Sequence, residues 1–247
     1  MAVQAHRLWY IRNLDLFRNL DEAALDELAR KGHLVQYKRG DGICAAGTGN
    51  DLAYVIKEGN VRLMLQAPNG RRLTVAILKP GDVVGGTGLF VDEADGESAE
   101  AMSQATLFAV PVETLRQFAR ERPDFAIRVT KEVNKQRTFI MNRMQDVLFL
   151  TVQQRLARLL LRLADEFPGT ATSGKRFVNI RLTHQELADL VGANREAVST
   201  ALIKLRKEKC LAAIHGYFVL SNEESLRQTA YAQPEASIVT SQGSKIR

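Results

Sequence analysis

Polar and charged side chains between residues 183 and 209 are of the types that bind DNA. Arg195 can donate two hydrogen bonds to a guanine or bind a phosphate, and Glu196 can accept one from cytosine N4. The side chains that we predict to contact DNA are Thr183, Gln185, Arg195, Glu196, Ser199, Thr200 and Lys204. The sequence has no P-loop, metal-ligand spacing or nucleophile elbow, so no catalytic residue, metal site or enzymatic activity is predicted.

Two short helices joined by a glycine turn are predicted to hold these side chains. Thr183 and Glu186 have the spacing of a capping box at the start of the first helix. Gly192 permits that helix to end in a left-handed conformation, and Asn194 can cap the second helix. The pattern is typical of a helix-turn-helix, in which the second helix enters the major groove.

The sequence around this motif supports the same interpretation. The second helix carries an apolar face for packing, made by Val198, Leu202 and Leu205. Residues 211–220 are β-prone on both sides of His215-Gly216 and predict a hairpin, the wing. Five basic residues lie within 195–209 against two Glu. The alternative is a generic helical hairpin with a solvated face, but these features together favour DNA binding.

The composition is that of an ordinary globular protein. The chain has 247 residues, 45% hydrophobic and 25% charged, which is enough for one large domain or two ordinary ones. Its net charge of +6 fits a polyanionic partner. No apolar stretch is long enough for a membrane span and the N-terminus lacks a secretory signal, so we expect a cytoplasmic protein without a membrane partner. Cys44 and Cys210 are distant in sequence, and we expect Cys44 to be a buried structural cysteine.

The remaining sequence predicts three further segments. Short β-prone runs separated by turn residues, including a hairpin turn at Asn69-Gly70, predict an antiparallel sandwich or barrel over residues 34–110, after short helices within 8–32. Residues 125–150 lack Gly and Pro and predict one long helix. A second amphipathic helix at 151–166 and a loop at 168–174 are expected to follow.

The long helix has the sequence pattern of a two-helix seam. Val133, Ile140 and Val147 recur every seven residues, and Arg137 forms a polar layer. The helix could pack only on its own sandwich, but it is longer than a small sandwich can cover, so we expect a homodimer. The predicted segments are a sensor domain at 1–124, a dimerisation helix at 125–150, a DNA-binding domain at 151–227 and a flexible tail at 228–247.

The order of these parts resembles the cyclic-AMP receptor protein/FNR (CRP/FNR) family of bacterial transcription regulators, over roughly residues 12 to 226. The most specific motifs are Gln185-Glu186, Val191-Gly192, Arg195-Glu196 and Val198-Ser199. The resemblance implies an α+β fold with an N-terminal cyclic-nucleotide-binding-type β-roll, a long dimerisation helix and a C-terminal winged helix-turn-helix. It also implies a homodimer that reads a pseudo-palindromic promoter site, contacts RNA polymerase and activates transcription.

Residues 83–90 resemble the phosphate-binding cassette of this family. The candidate effector-pocket residues are Gly85, Gly86, Thr87, Gly88, Glu97, Ser98, Arg137, Ile140 and Met141. Members that bind cAMP carry a Glu for the ribose and an Arg for the cyclic phosphate, where this chain has Gly86 and Glu97, with one extra residue in the loop. A carboxylate repels the phosphate that an Arg would bind. No cofactor is therefore predicted, and we do not expect cAMP to bind in the usual way.

Other effectors of the family fit no better. Two distant cysteines cannot supply the cysteine set of the iron–sulfur branch. No His lies between His33 and His184, so the Cys/His haem pair of the carbon-monoxide-sensing branch is also missing. The 2-oxoglutarate branch uses an Arg and a Glu on the long helix, where Gln136 and Met141 stand here; the adjacent Arg137 is expected to be a seam or surface residue.

Two further expectations concern the DNA site and the function of the protein. Thr200 stands where many members of the family have a second base-reading Arg, so the half-site should differ from theirs at that base pair. The alternative function is a ligand- or redox-sensing β-roll protein whose main output is not DNA binding, which the winged segment disfavours.

Overall fold

The computed structural model describes residues 14, 16–18, 20–45, 51–66, 72–85, 97–171 and 174–232. Contacts divide the chain into two compact units, residues 1–142 and 143–247. The predicted turn at Asn69-Gly70 and the pocket residues Gly86, Thr87 and Gly88 lie outside the described residues. Within the described ranges, no helix is both long and apolar enough to cross a membrane.

The first unit is an antiparallel β-roll flanked by helices, as the sequence predicts. Its described elements are α1 (Glu22–Lys31), β1 (His33–Tyr37), β2 (Gly42–Cys44), β3 (Leu52–Glu58), β4 (Val61–Gln66), β5 (Arg72–Leu78), β6 (Val83–Val84), β7 (Glu97–Ala101), β8 (Ala105–Pro111) and α2 (Val112–Glu121). The strands form two sheets, with orders β1-β8-β3-β6 and β2-β7-β4-β5. The predicted sandwich is therefore confirmed.

Apolar side chains pack between the two sheets and beneath the helices. Ile43, Ile56 and Leu107 belong to a buried cluster built from both sheets. Phe17, Phe118 and Phe125 belong to a second cluster, in which the rings of Phe17 and Phe118 lie 6.3 and 6.0 Å from that of Phe125. Aromatic pairs at such distances add to the free energy gained from apolar burial.

Helix α3 (Pro123–Phe149) has 27 residues, and Pro123 occupies its first position. Proline suits that position because its missing N–H would have no partner within the helix. The seam residues Val133, Ile140 and Val147 are 45%, 56% and 46% exposed. This apolar row is therefore not covered by the described part of the same chain.

The second unit is a helical domain with a small sheet. After the last residues of α3 come α4 (Val152–Glu166), β9 (Pro168–Thr170), β10 (Arg176–Val178), α5 (His184–Val191), α6 (Arg195–Lys207), β11 (Leu211–Ile214), β12 (Tyr217–Leu220) and α7 (Glu223–Tyr231). Strands β11-β12-β10-β9 form one antiparallel sheet. The winged helix-turn-helix expected from the sequence is confirmed.

Three local features differ from the sequence prediction. The loop expected at 168–174 begins as strand β9, where Gly169 leaves room for the ring of Phe177 on β10; a Cβ there would lie 2.4 Å from that ring. Helix α7 continues to Tyr231, past the expected domain end at 227, and Arg158 Nε donates to the Ala230 carbonyl in its last turn at 2.9 Å. Cys44 is half-buried, not buried.

Candidate nucleic-acid interface

Helix α5 begins at a capping box that fixes the start of the helix-turn-helix. The Glu186 amide donates to Thr183 Oγ1 at 3.1 Å, and the Thr183 amide donates to Glu186 Oε2 at 2.7 Å. The Thr183 hydroxyl also donates to that carboxylate at 2.8 Å. Two backbone donors without partners inside the helix are thereby satisfied, as the sequence predicts.

A three-residue turn separates α5 from α6. Gly192 adopts φ 67° and ψ 51°, the left-handed conformation, and its amide donates to the Asp189 carbonyl at 3.3 Å. The Ala193 amide donates to the Ala188 carbonyl at 2.9 Å, and Asn194 Oδ1 accepts from the Ala197 amide at 2.7 Å. Both ends of the turn are therefore fixed by hydrogen bonds, and the direction in which α6 begins is set.

Two arginines hold the C-terminal end of α5. Arg143 Nη2 donates to the Asp189 carbonyl at 2.6 Å, and Arg155 Nη1 donates to the Gly192 carbonyl at 3.3 Å. Cations stabilise a helix C-terminus because its free carbonyls carry partial negative charge. Burial lowers the pKa of both guanidinium groups from their usual value, and both remain charged at neutral pH.

Helix α6 presents a polar surface over an apolar base. Its buried residues are Val198, Ala201, Leu202 and Leu205. Four of the predicted DNA contacts are exposed on it, namely Arg195, Glu196, Thr200 and Lys204. Arg206 and Lys207 add exposed positive charge in the last turn. The helix therefore presents hydrogen-bonding groups at its start and cations towards its end, as a groove reader requires.

The other predicted contacts are engaged within the domain. Ser199 Oγ lies 2.9 Å from His184 Nδ1, a hydrogen bond between α6 and α5. Gln185 Nε2 donates to Asp189 Oδ1 at 2.7 Å. A hydroxyl or amide held in this way still has free hydrogen-bonding positions, so these bonds orient the groups without excluding a further partner.

The predicted wing is a tight hairpin. Ile214 pairs with Tyr217, and the two residues between them, His215 and Gly216, have φ 50° and 83°. Positive φ at both central residues is typical of the turn that matches strand twist. The Arg181 guanidinium lies 5.2 Å from the centre of the Tyr217 ring.

The predicted effector-pocket residues that the structure describes lie on three parts of the first unit. Gly85 follows β6 with φ 73°, and Glu97 and Ser98 are half-buried at the start of β7. On α3, Ile140 and Met141 are 56% and 48% exposed. Arg137, on the same helix, is exposed as well. The pocket itself stays a prediction.

Sequence reasoning overlooked residues of the second unit that bear on the interface. His184 and Arg143 were not selected because their partners, Ser199 and the Asp189 carbonyl, are distant in sequence and only the fold brings them together. Ile203 lies outside the polar set predicted from the sequence, although it follows Glu196 by seven residues, about two helical turns, and so lies on the same helix face.

Both units match known families. Residues 34–122 match the model of the cyclic nucleotide-binding domain, and residues 154–229 match that of the Crp-like helix-turn-helix domain. The chain is similar to the CRP-like cAMP-activated global transcriptional regulator of Mycobacterium tuberculosis H37Rv, with 28% identity over 215 residues, 87% of this chain and 96% of that protein. It is also similar to the cAMP-activated global transcriptional regulator CRP of Salmonella typhimurium, with 26% identity over 74% of this chain and 87% of that protein.

Solved structures share the fold. A CRP/FNR-family transcriptional regulator from Thermus thermophilus has a TM-score of 0.69 and 25% identity, covering 82% of this chain and all of that one (100%). A second regulator of the CRP family from the same organism has a TM-score of 0.68 and 26% identity, with the same coverage of 82% and 100%. With a cyclic nucleotide-binding domain followed by a Crp-like helix-turn-helix, the chain belongs to the CRP/FNR family of DNA-binding transcription regulators.

Proposed function

We propose that this regulator acts as a homodimer in which each α6 reads one half of a pseudo-palindromic promoter site. The observation that supports this most is the exposure of Arg195 and Glu196 in the first turn of α6, above a buried apolar face. In helix-turn-helix proteins the N-terminal residues of the second helix contact base edges. Half-sites are then about one helical turn, or ~34 Å, apart.

The side chains of this interface have different roles. Arg195 binds guanine and Glu196 accepts from cytosine N4, which suits two neighbouring base pairs. Thr183, Gln185, Ser199 and Lys204 contact phosphates or base edges, and the hydrogen bond between His184 and Ser199 orients the Ser199 hydroxyl. Many members of the family carry a base-reading arginine at the position of Thr200. The half-site therefore differs from theirs at the base pair that this arginine reads.

A second copy of the chain covers the exposed seam of α3. Val133, Ile140 and Val147 expose apolar surface along one row of a helix of 27 residues. Removing such surface from water is favourable, and a seven-residue repeat suits a two-helix seam. Dimerisation also sets the spacing between the two recognition helices.

The consequence of DNA binding is activation of transcription through contact with RNA polymerase. This part of the proposal rests on resemblance to the CRP/FNR family, whose similar members are described as global transcriptional regulators. No enzymatic activity is proposed. A regulator that binds promoters works where chromosomal DNA is, in the bacterial cytoplasm.

The cassette is not expected to take cAMP in the usual way, although the similar M. tuberculosis and S. typhimurium proteins are described as cAMP-activated. Gly86 and Glu97 stand where cAMP-binding members of the family carry Glu and Arg. Isothermal calorimetry with cAMP should therefore give no tight binding. Tight binding that Glu97→Ala weakens would overturn this part of the proposal.

Selection of bound DNA from a random-sequence pool tests the function. We expect enrichment of a pseudo-palindrome whose affinity falls steeply with salt, because bound phosphates release counterions. Arg195→Ala should bind the enriched sequence more weakly and relax its preference at one base pair, while Arg120→Ala, which removes an exposed arginine of α2, should change neither. A pool with no enriched sequence would contradict the proposal.

A further inference from the structure

The most outward side of α6 carries an aliphatic side chain. Ile203 is 65% exposed, although its neighbours in the helix, Leu202 and Leu205, are buried. Successive helical residues turn by about 100°, so Ile203 lies on the face opposite the apolar base. The exposed residues that share this outward face are Glu196, Thr200 and Lys207.

The Ile203 side chain gains no stability from its exposed position in the free protein. A β-branched residue is a weaker helix former than Lys, Arg or Glu, and its exposed apolar surface gains nothing in water. The residues beside it, Lys204, Arg206 and Lys207, are all cations. A surface that places one aliphatic group beside several cations fits a polyanion that offers a small apolar contact better than it fits an apolar protein surface.

The major groove of DNA offers such a contact. Base edges there present hydrogen-bond donors and acceptors, and the C5-methyl group of thymine is the apolar group among them. Phosphates on both sides of the groove would meet the flanking cations. The chemistry of the Ile203 surroundings therefore matches a thymine in a groove more closely than it matches a phosphate.

We propose that Ile203 packs against the C5-methyl group of a thymine and so selects a T·A pair in each half-site. The proposal rests on the proposed function, because it needs α6 in the major groove. Seven residues separate Ile203 from Glu196, or about 10 Å along the helix. With one base pair per ~3.4 Å, the thymine lies about three base pairs from the pair that Glu196 reads.

Replacement of thymine by uracil tests this directly, because uracil lacks only the methyl group. The probe is the site obtained by selection, synthesised with uracil at one thymine at a time in both half-sites. For the unmodified protein, uracil at one position in both half-sites should weaken binding by about 16-fold, because each of the two lost methyl contacts is worth about fourfold. The other positions serve as internal controls.

The variant Ile203→Ala completes the test. It should bind the thymine and uracil forms of that position equally, and its selected site should no longer prefer T·A there. Because Ile203 is exposed, the variant should keep the circular dichroism spectrum and melting temperature of the unmodified protein. The variant Ile203→Val, which keeps an aliphatic group, should retain part of the preference.

The outcomes separate the two proposals. If selection enriches no sequence, the proposed function fails. If a site is enriched but carries no thymine near the expected position, or no uracil position weakens binding, the role of Ile203 is wrong while the function stands. The same holds if Ile203→Ala keeps the full sensitivity to uracil.

Discussion

Arg195 is the residue on which base recognition depends most in this account. Its side chain is exposed in the first turn of α6, where a guanidinium can donate two bonds to guanine. Arg195→Ala should weaken binding to the selected site by about 1–3 kcal/mol and relax the preference at one base pair. Measuring affinity for every base at each position checks this. Equal weakening on all sequences would make Arg195 a phosphate contact.

Asp82 supplies a pH-dependent contribution to the stability of the first unit. Its Oδ2 accepts from the Lys79 amide at 2.8 Å. Burial is the main cause that raises the pKa of its carboxyl above the usual 3.8, and the Lys79 amide partly opposes it. The stabilising contribution is therefore complete below the ordinary pKa and is lost as the pH rises through the raised value.

Asp82→Asn should accordingly be more stable than the unmodified protein at about pH 7, with the difference shrinking as the pH falls towards 4. Urea unfolding across this range measures it. Asp41→Asn is the control, since Asp41 accepts from the Lys38 amide at 2.7 Å in a similar turn but is exposed. A difference that grows as the pH falls would contradict the sign.

Polar side chains could be selected from sequence because hydrogen-bonding chemistry is a property of residue type. Arg195 and Glu196 are both exposed as that reasoning requires. Partners distant in sequence could not be inferred, as for the hydrogen bond between His184 and Ser199. That contact depends on the angle at which α5 and α6 cross, and the sequence patterns of the two helices do not determine this angle.

At the scale of elements, the turn between α5 and α6 depends on Gly192. A side chain there would adopt φ 67°, which costs about 1–2 kcal/mol, and its Cβ would lie 3.4 Å from Val147 Cγ2. Gly192→Ala should therefore lower the free energy of unfolding, and relief of the backbone strain would change the direction in which α6 begins and so weaken DNA binding. Urea unfolding and anisotropy with labelled DNA measure the two effects.

Gly174→Ala is the matched control for this prediction. Gly174 also has positive φ, 74°, but no atom of the described residues lies within 4 Å of a Cβ built there. It should lose stability from backbone strain while keeping its DNA affinity. If both variants bind DNA equally well, the turn does not set the position of α6.

Helices and strands whose ends or residue types are marked in the sequence could be predicted, whereas those without such marks could not. The capping box at Thr183 and the glycine at 192 mark α5 in the sequence as they do in the structure. Strand β7, Glu97-Ser98-Ala99-Glu100-Ala101, has no β-branched residue and exists because it pairs with β2 and β4. Tertiary pairing of this kind overrides local propensity.

At the scale of the whole molecule, the seam of α3 is expected to bring two copies together. Ile140→Arg, at a position 56% exposed in the single chain, should yield a monomer with much weaker DNA binding, since a buried unpaired charge is costly. Analytical ultracentrifugation measures the oligomeric state of the variant. The control is Ile127→Arg, at a position that is 53% exposed but lies outside the seven-residue repeat, and this variant should remain dimeric. If both variants are dimers, the seam of α3 is not the dimer interface.

The two units differ in how far their function follows from their residues. The second unit carries an exposed polar helix whose partner chemistry is that of base pairs. The first unit has the fold of a cyclic nucleotide-binding domain, but the family resemblance implies that Glu97 occupies the position of a phosphate-binding arginine, and this assignment stays a prediction. Its fold was predictable from strand and turn patterns, whereas an effector depends on contacts that those patterns do not specify.

The ratio of affinities for the selected site and for a scrambled duplex, at one fixed salt concentration, tests the central claim most directly. Sequence-specific regulators bind their sites on the order of 10³-fold or more tightly than other DNA. We expect a ratio of at least that size, falling sharply for Arg195→Ala. A ratio near one for the unmodified protein would contradict sequence-specific recognition by α6.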